Sequence, residues 1–176
     1  MPISLNAYGA GLSHGSVKTA DGNVYDIDAI VSAEGDPQID DIQVNGDDLL
    51  KATFYFNRRE ELSIVANGIS FDVIQAITGN TVSSSATGLE VALGTTSEDN
   101  PPFVEIRADT IAKDSLGASV TITKTWHRVQ IGTVKLSQSN GSEFNIELTG
   151  VAYTTDKDIE GGALSTQRIA TIEVQY

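Results

Sequence analysis

Apolar and polar residues alternate along several short stretches of the chain. The clearest runs are Val104–Arg107, Val120–Trp126, Phe144–Thr149 and Ala170–Gln175, in which every second residue is aliphatic or aromatic except for Lys124. A period of two places one set of side chains on a core and the other set toward water or a partner. Because the β-branched residues in these runs suit a pleated sheet, the pattern predicts amphipathic β-strands.

Two glycine-containing dipeptides separate strand-like stretches. Asp21-Gly22 and Asn140-Gly141 both accept the positive φ that tight hairpin turns require. They therefore predict two hairpins. The strands to be joined are residues 17–20 with 23–30 and residues 129–136 with 143–153.

Two polar stretches are rich in turn residues. Ser32–Asp48 contains Pro37 and several glycines, and Asn45-Gly46 is expected to close a turn within it. Thr78–Pro102 is rich in Ser, Thr and Gly. Loops of this length inside a compact domain are usually functional or mobile. We therefore expect two long loops, of which the first is acidic.

One short helix is predicted over Phe71–Thr78. Apolar residues recur every four positions through it. Ser70 can cap its start by accepting a backbone N–H, and Gly79 can end it in the left-handed conformation. So short a helix must pack against a sheet to be stable. A further turn of helix is expected at Ala108–Asp114.

These elements predict one domain, residues 1–176, that is mainly β: an antiparallel β-sandwich or barrel with one short packed α-helix and long loops. Within it, residues 1–15 are expected to form a flexible N-terminal arm and residues 32–48 an acidic loop. A domain of this length buries about 70% of the surface that its unfolded chain exposes, so it needs neither disulfides nor metal to fold.

The chain is strongly acidic, with 24 Asp and Glu against 11 Lys and Arg and a net charge of −13. Residues 21–48 hold nine acids and no Lys or Arg. This charge argues against nucleic-acid binding, which needs clustered cations; it also fits the simpler role of keeping copies apart in solution. The sequence has no cysteine, which excludes thiol chemistry, and no apolar run long enough to cross a bilayer.

The sequence has two histidines, His14 and His127, which are the candidates for a catalytic base. His14 lies in Gly11-Leu12-Ser13-His14-Gly15, which matches the G-x-S-x-G nucleophile elbow. A predicted strand follows this motif where the elbow needs a helix, so we expect a Gly/Ser-rich arm with no catalytic role. For His127, the sequence offers no nucleophile and orienting carboxylate. We predict no catalytic residue, and expect His127 at a strand end or an interface.

Acidic clusters were considered as metal sites. Asp156–Gly161 resembles the start of a calcium loop, but the twelfth position is Gln167 and not the bidentate glutamate. A solvated acidic turn is favoured there, and a weak cation site remains the alternative. Asp40-Asp41 and Asp47-Asp48 lie in a hydrophilic stretch that gives neighbouring carboxylates no distinct acid and base roles. No phosphate-binding glycine loop is present, so the sequence predicts no metal and no cofactor.

Three stretches in this order resemble the tail-tube proteins of tailed bacteriophages. The first is Thr53–Ile64, taken as a strand pair that leads into the helix. The second is Gly68–Gly79, which resembles the helix of that family ending in glycine. The third is Phe144–Asp158 followed by Arg168–Val174, which resemble its closing strands.

The resemblance implies a structural subunit and not an enzyme. Such subunits form hexameric rings that stack into a tube, with sheets of neighbouring copies joined, other tail proteins at the tube ends and no membrane partner. DNA passes through the lumen without specific binding. Residues 1–15 and 32–48 are then expected at contacts between rings, and Thr121, Thr123 and Thr125 toward the lumen or a neighbour. The protein would be made in the host cytoplasm and end in the virion.

Two other functions remain open. The related inner-tube subunit of a contractile tail or secretion apparatus has the same sequence signals. A monomeric β-sandwich module that binds carbohydrate or protein belongs to another class. Such a module usually exposes aromatic residues for stacking, and only 6% of this chain is aromatic.

Overall fold

The computed structural model describes residues 8–27, 30–46, 49–85, 87–91, 93, 100–114, 117–137 and 145–175. These residues form one helix, α1 (Phe71–Thr78), and twelve strands. The strands are β1 (Tyr8–Thr19), β2 (Val24–Ile27), β3 (Ile30–Gly46), β4 (Leu49–Ala66), β5 (Val82–Ser85), β6 (Gly88–Val91), β7 (Val104–Lys113), β8 (Ser119–Ser137), β9 (Asn145–Tyr153), β10 (Thr155–Lys157), β11 (Ala163–Arg168) and β12 (Ala170–Gln175). The predicted mainly-β class is confirmed.

The main sheet has the order β2-β1-β7-β8-β9-β4-β3, and all of its pairs are antiparallel. Strand β8 is long enough to serve two layers. Its first half, residues 121–126, pairs with β12, and residues 129–137 pair with β9. We call β2, β1, β7, the first half of β8 and β12 the first layer. The second half of β8, β9, β4 and β3 form the second layer.

The hydrophobic core lies between the two layers and under the helix. The first layer contributes Ile106 and Trp126, and the second contributes Ile64 and Leu148, all essentially inaccessible to solvent. Each such side chain contributes about 1.5–3 kcal/mol through burial. The layers also meet at β1 and β3, where a Cβ added to Gly15 would lie 1.9 Å from Ile30 Cδ1. The result is a sandwich; the described strands form no closed barrel.

Helix α1 has the predicted bounds and both predicted caps. The Oγ of Ser70 accepts a hydrogen bond from the backbone N–H of Val73 at 3.3 Å. Gly79 has φ 74°, and its N–H donates to the carbonyl of Gln75 at 2.9 Å. Both caps satisfy backbone groups that a helix end leaves unpaired. The helix therefore ends where its local sequence directs.

The predicted acidic loop at residues 32–48 is wrong for residues 32–46. They belong to β3, which pairs with β4 from Ile30 opposite Ala66 to Gly46 opposite Leu49. The turn expected at Asn45-Gly46 is also wrong, because both residues pair with β4; residues 47–48 lie outside the described part. Pro37 misled the prediction, since proline is tolerated on an outermost strand such as β3.

The predicted N-terminal arm is wrong for residues 8–15, and residues 1–7 lie outside the described part. Tyr8–Thr19 pairs with β7, with register shifts between Gly9 and Leu12 and between Leu12 and His14. These irregularities explain why no alternation marks the strand. The turn of helix expected at Ala108–Asp114 is also wrong, because most of it belongs to β7. Pairing on both sides of β7 overrides its local preference for helix.

The two predicted hairpins, the polar stretch 78–102 and the predicted strand pair at 53–64 can also be compared with the structure. The β1–β2 hairpin forms with Gly22 at φ 81°. Strands β8 and β9 pair as predicted, although the Asn140-Gly141 turn lies outside the described residues. The stretch 78–102 contains the β5–β6 hairpin; residues 86, 92 and 94–99 are outside the described part. Thr53–Ile64, expected to be a strand pair, lies within the single strand β4.

Candidate functional site

Four acidic residues lie on the outward side of the second layer. Glu34 and Asp36 belong to β3, Glu61 to β4 and Glu147 to β9. On β4 and β9 the neighbours in the alternate phase, such as Leu62 and Ile146, are buried, whereas three of the acids are exposed and Glu147 is half-buried. We call these four residues the acidic face. The strand period therefore separates an apolar side, which faces the core, from a negatively charged side, which faces out.

The acidic face holds like charges close together. Asp36 lies directly opposite Glu61 in the β3–β4 register, and like charges in that position destabilise a sheet. Gln38 donates a hydrogen bond to Asp36 at 2.9 Å, and Lys135 lies 3.6 Å from Glu147. Only Lys135 carries a positive charge, so most of the negative charge of the face is not offset. The face therefore repels anions.

A shallow groove of about 600 Å³ runs across the acidic face. Gly132 and Gly150 are among the residues that line it, together with all four acids. A Cβ added to Gly150 would lie 2.3 Å from the carbonyl oxygen of Gln130, so only glycine fits this point of the β8–β9 pair. The small residues keep the groove open. It has no cluster of hydroxyl, imidazole and carboxylate groups such as catalysis requires.

The strands β3 and β12 each pair on one side only within the described part of the chain. Open edges invite pairing with another chain, and charges and proline on an edge suppress random pairing. Strand β3 carries both, with Pro37 among its acids. Strand β12 carries a single acid, and the side chain of Ile172 is 66% exposed. The prediction that Ile172 packs inward is therefore wrong, because β12 is an outermost strand.

The β3–β4 hairpin extends beyond the rest of the sheet as a two-stranded ribbon, residues 40–46 and 49–56. Pairing between β4 and β9 ends at Arg59 opposite Tyr153, so no third strand among the described residues pairs with the ribbon. Seven residues, 40–46, continue β3 into it, a length of about 23 Å at the usual rise of a strand. The ribbon is thus long enough to reach past its own domain.

The first layer presents a different outward side, in which charges are paired. Arg107 Nε donates to Asp109 Oδ1 at 3.0 Å, and the Thr123 hydroxyl donates to the same oxygen at 2.7 Å. Burial alone would raise the pKa of the Asp109 carboxyl, but the hydrogen bonds from Arg107 and Thr123 outweigh it, and the pKa lies below the ordinary value. Thr123 is 2% exposed. The expectation that it faces a lumen or a neighbour is therefore wrong.

His127, 8% exposed, forms a second chain of contacts on this side. Its Nδ1 lies 3.1 Å from Glu105 Oε2, and its Nε2 lies 2.7 Å from Thr171 Oγ1. The order carboxylate, imidazole, hydroxyl is that of a catalytic triad. However, Arg168 Nη1 also donates to the Thr171 hydroxyl at 3.3 Å, and Thr171 does not line the groove that reaches His127. These contacts hold β12 against β7 and β8 of the first layer.

The candidate sites predicted from the sequence do not come together. The motif Gly11–Gly15 lies within β1, so it is not a strand-to-helix elbow. His14 Nε2 lies 3.3 Å from Asp26 Oδ1 on the neighbouring strand. Asp40 pairs with Arg59 at 3.0 Å, while Asp47-Asp48 is outside the described part. His14 and Asp40 thus each pair with a residue outside the predicted sites.

The stretch Asp156–Gly161, which resembles a calcium loop, forms a tight turn. The Oδ1 of Asp158 accepts a hydrogen bond from the Gly162 N–H at 2.6 Å, and the Gly161 N–H donates to the Asp158 carbonyl at 3.1 Å. The Asp158 carboxylate is thus already hydrogen-bonded to the backbone of its own turn. In the residues that the structure describes, no three His, Asp or Glu side chains are grouped as metal ligands.

A partly buried ion pair was missed in the sequence. Lys124 Nζ lies 2.6 Å from Glu60 Oε1, between the layers, and 4.4 Å from the ring centroid of Trp126. Glu60 is 6% exposed, and a Cβ on Gly35 would lie 1.8 Å from its Oε1. The signal was present: Lys124 and Glu60 both occupy the apolar phase of their strands. Two opposite charges in that phase predict a pair across the core.

Comparison of the chain with protein-family models gives no match, and comparison with curated proteins gives no significant sequence similarity. Across the described ranges, none of the helical structure has the length and apolar character needed to cross a bilayer.

Proposed function

We propose that this protein is the structural subunit of a phage tail tube. It assembles into rings, hexameric in the family that it resembles, and the rings stack into a conduit for DNA with other tail proteins at its ends. The acidic face supports the proposal, since it is a negatively charged sheet surface that spans three strands. On this proposal the acidic face lines the lumen, and the protein is located in the virion.

An acidic lumen suits passage of DNA. Phosphates are held by Lys and Arg, which release condensed counterions when they bind. The acidic face offers the opposite charge, so DNA slides past without being retained. The repulsion between Asp36 and Glu61 costs the isolated subunit stability. Such a cost at one place in a sheet is typical of a functional surface.

The open edges support assembly from copies of the same chain. Joining β12 of one copy to an outermost strand of the next would satisfy backbone groups that a monomer leaves exposed to water. It would also cover the exposed side chain of Ile172. A monomeric ligand-binding module gains nothing from these features. An inner-tube subunit of a contractile tail or secretion apparatus would share them, and co-assembly with a sheath protein distinguishes that alternative.

Electron microscopy of the purified protein tests the proposal. We expect hollow rings or tubes, and assembly that strengthens with ionic strength because subunits of net charge −13 repel one another less when screened. Ile172→Lys, which adds a charge to the β12 edge, should abolish assembly. The control Leu89→Lys, at a residue 58% exposed on β6, should not. A monodisperse monomer at high concentration in every salt condition would contradict the proposal.

A further inference from the structure

Five cations form no ion pair in the part of the chain that the structure describes: Arg58, Lys113, Arg128, Lys157 and Arg168. In a protein with more than twice as many acids as bases, an unpaired arginine needs an explanation. Arg58 lines a groove of about 600 Å³ at the end of the second layer. We call it the arginine groove; its lining is Asn57, Arg58, Arg59, Tyr153, Thr154 and Gln167.

A β-bulge directs the side chains of the arginine groove. Gln38 pairs with Arg59 and Asp40 with Phe56, so Asn57 and Arg58 together lie opposite one residue of β3. Asn57 has φ 49°, a left-handed conformation that is uncommon outside glycine. Bulges often re-aim a side chain at a functional site. Here the bulge leaves Arg58 exposed, at the point where the ribbon leaves the sheet.

Neighbouring contacts hold the arginine groove in shape. The Thr154 hydroxyl donates to the carbonyl of Arg58 at 2.7 Å. The Tyr153 ring packs edge-on against Phe103, with centroids 6.0 Å apart. Arg128 lies 4.0 Å from the centroid of Phe103 on the far side of this contact chain. Aromatic residues and arginines are the residue types that most often dominate protein interfaces.

An occupant that supplies carboxylates suits the unpaired Arg58, because Asp40 is already held by Arg59, a groove residue, at 3.0 Å. A second copy of this chain presents them on an extended segment. Asp41 is exposed on β3, where the ribbon begins, and it has no ion pair within the described residues. An outermost strand is the part of a sheet that can enter a groove without first unpairing.

We propose that the arginine groove of one copy receives the acidic β3 segment around Asp41 of a neighbouring copy, with Arg58 bound to that aspartate. The proposal rests on the proposed function, and it names one contact within the assembly. In the proposed contact one copy gives the groove and the next copy gives the β3 segment, which makes the contact heterologous. Contacts of this kind generate rings or filaments.

Charge reversal tests the contact. Arg58→Glu and Asp41→Arg should each raise the protein concentration needed for assembly by about tenfold or more, because like charges then meet at every contact. The matched control for Arg58→Glu is Lys113→Glu, which makes the same change in net charge at an exposed, unpaired cation on β7. It should assemble as the wild type does. Circular dichroism of each variant checks that the monomer remains folded.

Mixing the two variants separates a contact between copies from one within a copy. In an equimolar mixture, Asp41 of one variant meets Arg58 of the other, and the introduced arginine meets the introduced glutamate. Assembly should therefore return to near the wild-type concentration. Failure of the mixture to assemble, or an Arg58→Glu variant that behaves like Lys113→Glu, would overturn the contact while leaving the tube proposal intact. A wild-type protein that never assembles would overturn both.

Discussion

The two outward sheet faces of this protein carry charge in opposite ways. On the first layer, Asp109 is bound by Arg107 and Thr123, and His127 lies between Glu105 and Thr171. On the second layer, the acids of the acidic face lie beside one another with few cations nearby. One chain thus builds a face on which the buried charges have partners and a face on which exposed acids lie close together.

The difference indicates that the first-layer face stabilises the fold and that the acidic face interacts with something outside the subunit. Buried polar groups that are fully hydrogen-bonded fix strands in place. Unbalanced like charges do not stabilise the isolated domain, so their role is expected to come from what lies outside it. Mutations on the paired face are therefore expected to lower the free energy of unfolding as core mutations do. Mutations on the acidic face are expected to change it little, as at other surface positions.

The largest effect is expected from Asp109→Ala. It leaves Arg107 and the nearly inaccessible Thr123 hydroxyl without their acceptor, and we expect a loss of about 2–3 kcal/mol in the free energy of unfolding. Thermal denaturation should show a Tm lower by several degrees. Glu61→Ala on the acidic face is the matched comparison and should change the free energy of unfolding by less than about 0.5 kcal/mol. Equal losses for the two variants would remove the distinction between the faces.

The pH dependence of stability sharpens the same comparison. The pKa of Asp109 in the folded protein lies below its ordinary value because of Arg107 and Thr123. Its ionised form therefore stabilises the fold above pH about 4, the pKa of an unfolded aspartate, and this contribution is lost as the pH falls through the folded pKa.

Denaturant unfolding of the wild type and Asp109→Asn over a range of pH measures this contribution. The stability difference between the two proteins should be greatest near neutral pH and shrink in acid. A difference that stays constant down to pH about 3 would mean that the Asp109 charge has no stabilising partner.

The smallest effect is expected from Glu61→Gln. Removing one of two like charges that face each other across β3 and β4 should raise the free energy of unfolding by about 0.5 kcal/mol. Chemical denaturation at low ionic strength is the appropriate measurement, since added salt screens the repulsion. A destabilised variant would indicate that Glu61 has a favourable partner within its own subunit.

Local signals in the sequence were enough to predict the helix and the β1–β2 hairpin. Ser70 and Gly79 cap the helix, and Gly22 supplies the positive φ of the turn. The long strand β3 could not be predicted in this way, because Gly35 and Pro37 are disfavoured in strands and only pairing with β4 holds them there. Its status as an outermost strand is a property of the whole sheet.

The acidic face was only partly predictable. The excess of acids in residues 21–48 was evident in the sequence, but Glu61 and Glu147 are distant from that stretch. They join Glu34 and Asp36 through the register of three strands. The partners of His127 were equally hidden, since Glu105 and Thr171 lie 22 and 44 residues away along the chain. Pairing between distant strands carries information that spacing along the sequence does not.

The central claim is that the acidic face lines the interior of an assembled tube. Because the chain has no cysteine, Thr149→Cys places a single thiol on a residue that lines the groove of that face. The rate of its reaction with two maleimides, one small and one attached to a protein too wide for the lumen, is measured in assembled and disassembled material. We predict that the small reagent labels both forms and the large reagent labels only the disassembled subunit. Labelling of assembled material by the large reagent at the rate seen for free subunits would contradict the claim.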